Sequence, residues 1–160
     1  MRSAKAMSVS VNTSNADHVI AETLAWVQRA VVDLNAAYRA HPALWARDFD
    51  PAGFEWIDSN DANHNVLAYL RRDDHGGVVA VVVNFAGTPH EDYRLALPEG
   101  GPWREILNTD SEIYGGSGVG NLGLVYSEPV PWNGRAHSVR LRVPPLGALY
   151  LVPDRTPKAT

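Results

Sequence analysis

The chain contains no cysteine. Disulfide frameworks, thiolate metal sites and cysteine nucleophiles are therefore excluded, and a reducing compartment fits. It also lacks any apolar run approaching the roughly 18 residues that cross a bilayer. Met1–Asn15 carries Arg2 and Lys5 but no apolar stretch behind them, so it does not read as a secretory signal. Basic charge is not in excess: 14 Lys and Arg stand against 18 Asp and Glu, a formal charge of −4. A surface built to neutralise phosphates is usually basic, so neither nucleic acid nor a membrane is an expected partner.

Several catalytic and metal motifs fail on inspection. His18, His41, His64, His75, His90 and His137 are scattered, with no H-x-x-x-H spacing. Gly115-Gly116-Ser117-Gly118 is followed by Val119, where a nucleophile elbow needs glycine. Asp58, Asn60, Asp61 and Asn63 suggest a calcium loop, but Ala62, Asn63 and Tyr69 occupy the fifth-position, glycine and glutamate places of that pattern. A solvated turn is expected instead. Gly118, Gly120 and Gly123 match G-x-G-x-x-G, yet Leu124-Val125-Tyr126 behind them reads as a strand, whereas a dinucleotide site needs a helix there. The stretch reads as an ordered loop. No cofactor, metal or catalytic residue is expected, and no carboxylate pair is marked out by its spacing.

The 160 residues suit one domain with a short appendage, and 45% hydrophobic residues suffice for a core. Thirteen glycines and eleven prolines point to many turns. Helical periodicity occurs once: Ile20, Leu24, Val27, Val31, Leu34 and Tyr38 form one face of a helix over about 18–40, with Trp26 and Ala30 beside the stripe. Ser14 or Asp17 can cap its start, and His41-Pro42 ends it. Such a helix cannot bury its own stripe, which is expected to dock on the chain's own sheet or to self-associate.

Short strands follow: Phe54–Asp58, Val66–Arg71, Val78–Phe85, Tyr93–Leu97, Trp103–Leu107, Ser138–Val143 and Ala148–Val152. Turn signals separate them, including Asp73–Gly77, Pro98–Pro102, Trp132-Asn133-Gly134 and Pro144-Pro145. The near-continuous apolar run from Val78 reads as a strand buried on both faces. In the Ser138–Val143 strand, Val139, Leu141 and Val143 should face in while Ser138, Arg140 and Arg142 face out. The spacing predicts an all-β antiparallel sandwich or barrel of seven or eight strands behind one helix. The domain reading is a disordered leader over 1–17, the helix over 18–45, a β-domain over 46–153 and a disordered tail over 154–160.

Trp45, Trp56, Trp103 and Trp132 are many tryptophans for this length. Packing is the ordinary role of such residues. Trp56 also stands just before Asp58 and Asn60, and a flat ring beside carboxylate and amide groups suits a sugar. Trp56, Asp58 and Asn60 are therefore the candidate ligand-binding residues, provided that Trp56 is exposed.

Phe54-Glu55-Trp56-Ile57-Asp58, Asn65–Arg72 and Val83–Pro89 resemble the carboxy-terminal region of bacterial glycogen branching enzymes, of the alpha-amylase superfamily. Trp103–Ser111 with Tyr114-Gly115-Gly116-Ser117 is the most specific block, and the likeness runs from about Val27 to Val152. The resemblance implies that Val27–Tyr38 is the last helix of a (β/α)8 barrel and that Phe54 onward is a C-terminal β-sandwich. It implies a cytoplasmic role in glycogen biosynthesis. The family's catalytic carboxylates sit on barrel strands for which this sequence has no counterpart, so none is carried over. The chain reads as a fragment with an unrelated leader. It is expected to support a catalytic barrel without catalysing alone; a weak α-1,4-glucan-binding module or a remnant without function are the alternatives.

Overall fold

A computed structural model of the chain describes residues 13–155. It opens with α1 (Thr13–Ala40), followed by two single-turn 3-10 segments, Pro42–Leu44 and Pro51–Gly53. Eight strands follow: β1 (Phe54–Asp61), β2 (Val66–Arg72), β3 (Val78–Asn84), β4 (His90–Leu97), β5 (Gly101–Asn108), β6 (Leu124–Ser127), β7 (His137–Val143) and β8 (Gly147–Pro153). A third 3-10 turn, Glu112–Tyr114, lies between β5 and β6.

One sheet has the order β1-β2-β3-β8-β5-β6 and the other pairs β4 with β7. Every pairing is antiparallel. A bridge between Glu128 and Ser138 joins the β6 end of the large sheet to β7. The ladder therefore wraps around the core, leaving β1 and β4 as its open edges.

Between the sheets lie Val66, Ala68, Leu70, Ala80, Val82, Leu149 and Leu151 from one side and Tyr93, Leu95, Leu97, Val139, Leu141 and Val143 from the other, with Trp103 wholly buried among them. Complete burial of each Val or Leu is worth about 1.5–3 kcal/mol, so this alternation fixes the register. The opposite face of the large sheet is apolar as well. Val79, Val81 and Val152 pack there under Ala43 and Leu44, which explains the continuous valine run of β3. Arg71 pins this cover by donating to the carbonyls of Ala43 and Leu44.

Three expectations change. The described part of the helix already includes Thr13–Asp17, residues expected in the leader, and no proline or glycine interrupts it there. The rest of the leader lies outside the described residues. In the tail, Asp154 and Arg155 are held, by a Pro102 carbonyl and by Glu99 respectively, and residues 156–160 lie outside the described range. Ser138 does not face water. The segment Glu128–Val130 covers it, its Oγ donating to the Val130 carbonyl and accepting from Arg94.

The helix docks on a different face from its apolar stripe. Trp26 lies against the backbone of Gly115, and the Tyr114 hydroxyl donates to Asp33 at 2.7 Å. Ala30, Asp33, Ala37 and His41 are the part-buried positions nearby, four and three residues apart. Small alanines and a glycine allow this close approach. Ile20, Leu24, Val27, Val31, Leu34 and Tyr38 remain between 40% and 64% exposed, so the sandwich of the same chain does not cover the stripe.

Candidate functional site

The open edges β1 and β4 face each other across a seam. The end of β1, where Asp58 Oδ1 accepts the Asn60 N–H, and the β1–β2 turn behind it close one side of it. Asp61 accepts the His64 backbone N–H and its Nδ1, the latter at 2.7 Å, and the Tyr93 hydroxyl of β4 at 3.0 Å. His90 Nε2 meets the His64 carbonyl at 2.9 Å. With one nitrogen of each ring committed, the other is a hydrogen-bond acceptor in the neutral imidazole. The rings of His64, His90 and Tyr93 stand 5.3–6.0 Å apart.

The other wall is the hairpin Trp132–Arg135, closed by reciprocal backbone bonds. Asn133 and Gly134, at φ +42° and +76°, form the primed turn that Asn-Gly favours. Its tip is anchored to β1: Asn133 donates to Asp58 Oδ2 at 2.9 Å, and Arg135 donates to Glu55 at 2.6 Å and to the Trp56 carbonyl. The result is a cleft of about 520 Å3, within the range of small-molecule sites. Its lining includes Trp132, Asp58, Asp61, Tyr93, Arg94 and Arg140. Trp132 is 45% exposed.

Burial would raise the Asp61 carboxyl, but hydrogen bonds from His64 and Tyr93 outweigh it and hold the group below the usual carboxylate range. Burial, together with the neighbouring Asp61 charge, pushes the Tyr93 hydroxyl far up. A glycosidic general acid needs a raised carboxyl pKa. Asp61 has the opposite, and it stands in the cleft as a fixed acceptor beside a neutral phenol. Among the described residues no group of three or more His, Asp or Glu is placed to hold a metal ion.

The structure separates the three residues singled out by sequence. Trp56 is 48% exposed and is not under the helix. Its ring meets Phe54 edge-on at 4.9 Å and Tyr69 at 6.1 Å. Asp58 lines the seam cleft instead, because the register of β1 shifts between Trp56 and Asp58. Asn60 lies beside a shallower hollow with Leu67 and Phe85. Trp132 takes the place beside Asp58 that the local spacing had given to Trp56. The signal for it was the Trp132-Asn133-Gly134 turn, which sets an aromatic residue at a hairpin. Of the tryptophans, Trp103 alone is wholly buried; Trp26, Trp45, Trp56 and Trp132 are exposed in part.

The loop after β5 is ordered chiefly by Asp110, with Glu105 accepting from Asn121 and Asn108 donating to the Val119 carbonyl. Asp110 Oδ1 accepts the Ser117 N–H, and Oδ2 accepts the Ser117 hydroxyl and the Val119 N–H. The run of glycines thus serves loop geometry. Burial and the Asp33 carboxylate push the Tyr114 hydroxyl at its tip up to about 12.

The all-β character of the strands agrees with the comparisons with known proteins. Residues 56–154 match the alpha amylase C-terminal all-beta domain, and the chain belongs to that family. Its relatives are more particular. It is 55% identical over 125 residues to the 1,4-alpha-glucan branching enzyme GlgB of Leifsonia xyli subsp. xyli, and 54% identical over 127 residues to those of Mycobacterium tuberculosis H37Rv and Rhodococcus jostii RHA1. These alignments cover 78–79% of this chain and 17% of each relative. The chain thus spans about one sixth of the length of the enzymes it matches. No helix among the described residues is long and apolar enough to cross a membrane.

Proposed function

We propose that the chain is the C-terminal accessory unit of a 1,4-alpha-glucan branching enzyme, which supports a catalytic barrel through α1 in the cytoplasm and performs no chemistry alone. The observation that carries this reading is the helix. It is fixed to the sandwich by Trp26 and Asp33, yet its branched apolar stripe stays about half exposed. A soluble surface rarely leaves a contiguous stripe of this kind uncovered. The barrel that precedes the matched segment in such enzymes is the proposed cover, and self-association through the same stripe is the competing one.

The test is complementation. The Leifsonia xyli relative lacking its matched C-terminal segment is co-expressed with this chain. Co-purification and recovered branching of amylose are expected, with loss of both in an Ile20→Asp, Val27→Asp, Leu34→Asp triple variant. Equal association by the triple variant overturns the reading. So does branch formation by the chain alone at a rate that tracks its concentration.

A further inference from the structure

We infer that the seam between β1 and β4 is a binding site for a linear α-1,4-linked gluco-oligosaccharide, with Trp132 as its stacking platform. The choice of α-1,4-glucose rests on the branching-enzyme reading; the site itself rests on geometry. Three observations support it. The cleft holds about 520 Å3 and is open to solvent, room for a few sugar rings. Trp132 is part-exposed on a hairpin that is bolted to β1 through Asn133–Asp58 and Arg135–Glu55, so its flat apolar ring is held ready without a ligand. The remaining lining is polar and already oriented. Asp61 is fixed by His64 and Tyr93, Asp58 by Asn133, and Arg94 by Ser138. Groups oriented before binding lose little freedom when a ligand arrives.

Charge selects the class of ligand. Asp58, Asp61, Glu91 and Asp92 line the cleft alongside Arg94 and Arg140. Both arginines are paired, with Glu128 and Asp92 respectively, so the groove does not offer free positive charge to a phosphate. Carboxylates accept hydroxyl hydrogen bonds, while the ring of Trp132 suits the C–H face of a hexose. A neutral polyol with one apolar face satisfies both walls.

The probe is maltoheptaose, titrated into the full chain while the indole N–H resonances are followed by NMR. The expected result is a saturable shift of the Trp132 indole with a Kd on the order of 1 mM, since an open groove with one platform offsets little of the freedom that the ligand loses. Trp132→Ala should weaken binding about tenfold, the scale of one aromatic contact. Trp56→Ala should leave binding unchanged. Trp132 is just over half buried, so Trp132→Ala should lower the thermal midpoint while the chain stays folded, and Trp132→Phe, which keeps a flat ring, should retain most of the binding. A stationary Trp132 indole at about twenty times the expected Kd overturns the inference. So does binding that is lost in Trp56→Ala and kept in Trp132→Ala. Either result, with complementation of the truncated relative intact, removes the site and leaves the accessory role standing.

Discussion

The latch between α1 and the sandwich can be opened by one methyl group. In Gly115→Ala, the new Cβ would lie 2.5 Å from Trp26 Cε3 and 2.7 Å from Cδ2, closer than two carbons can approach. The ring must leave. An indole buries on the order of 150 Å2, worth about 4 kcal/mol at about 25 cal/mol per Å2. Part of that cover comes from the helix itself and survives undocking, so about 2 kcal/mol of latch energy is at stake. Gly115 also has φ +78°, where alanine costs roughly 1 kcal/mol. Gly76→Ala isolates that second cost, because Gly76 has φ +81° and nothing within 4 Å of its would-be Cβ. Amide hydrogen exchange of α1 between Trp26 and Tyr38 is the assay. Relative to Gly76→Ala, Gly115→Ala should lower protection there about thirtyfold, the equivalent of about 2 kcal/mol, while β3 and β8 keep theirs. Equal helix protection in the two variants would refute docking through Trp26.

Asn84 is 1% exposed, donates to the carbonyls of Thr88 and Pro144, and accepts the Ala86 N–H. Asn84→Asp should lower the urea unfolding free energy by about 3 kcal/mol or more, since a carboxylate would face two carbonyl oxygens; equal stability would show that these contacts are dispensable. The depressed carboxyl of Asp61 gives a pH signature. A group with a lowered folded-state pKa contributes stability above its unfolded value, near 3.8, which is lost as pH falls through the folded-state value. Urea midpoints of the parent should therefore drop on acidification below about pH 4, and Asp61→Asn should flatten that part of the profile.

All eight strands were legible from hydrophobic pattern and turn residues, because each side of the core draws on alternate positions. The valine run announced the doubly covered β3. What the sequence hid was which face of the helix is used. The stripe of larger apolar residues is the stronger signal, yet the bare backbone at Gly115 leaves room for the Trp26 ring, and Tyr114 bonds Asp33, so the helix turns the Trp26–Asp33 face to the loop. The three residues of the candidate site part for a related reason. Adjacent numbering put Trp56 and Asp58 together, but a register shift in β1 turned them apart, and such an irregularity leaves no mark in composition. Trp132 lines the same cleft as Asp58 because its neighbour Asn133, 75 residues beyond Asp58, donates to that carboxylate, a proximity that local spacing does not express.

The unclosed ladder has a consequence for how the molecule behaves when crowded. Unpaired strand edges invite a second chain to add itself on, the first step of fibril growth. Here both edges are poor templates. β1 breaks its rhythm twice, between Trp56 and Asp58 and again before Asp61, and Arg135 occupies the Trp56 carbonyl. β4 opens with Glu91 and Asp92, which hold Arg142 and Arg140 in ion pairs along the rim. Sheet-to-sheet polymerisation is thus obstructed at each end, and clustering at high concentration should proceed helix to helix, reversible by a single polar substitution in the stripe.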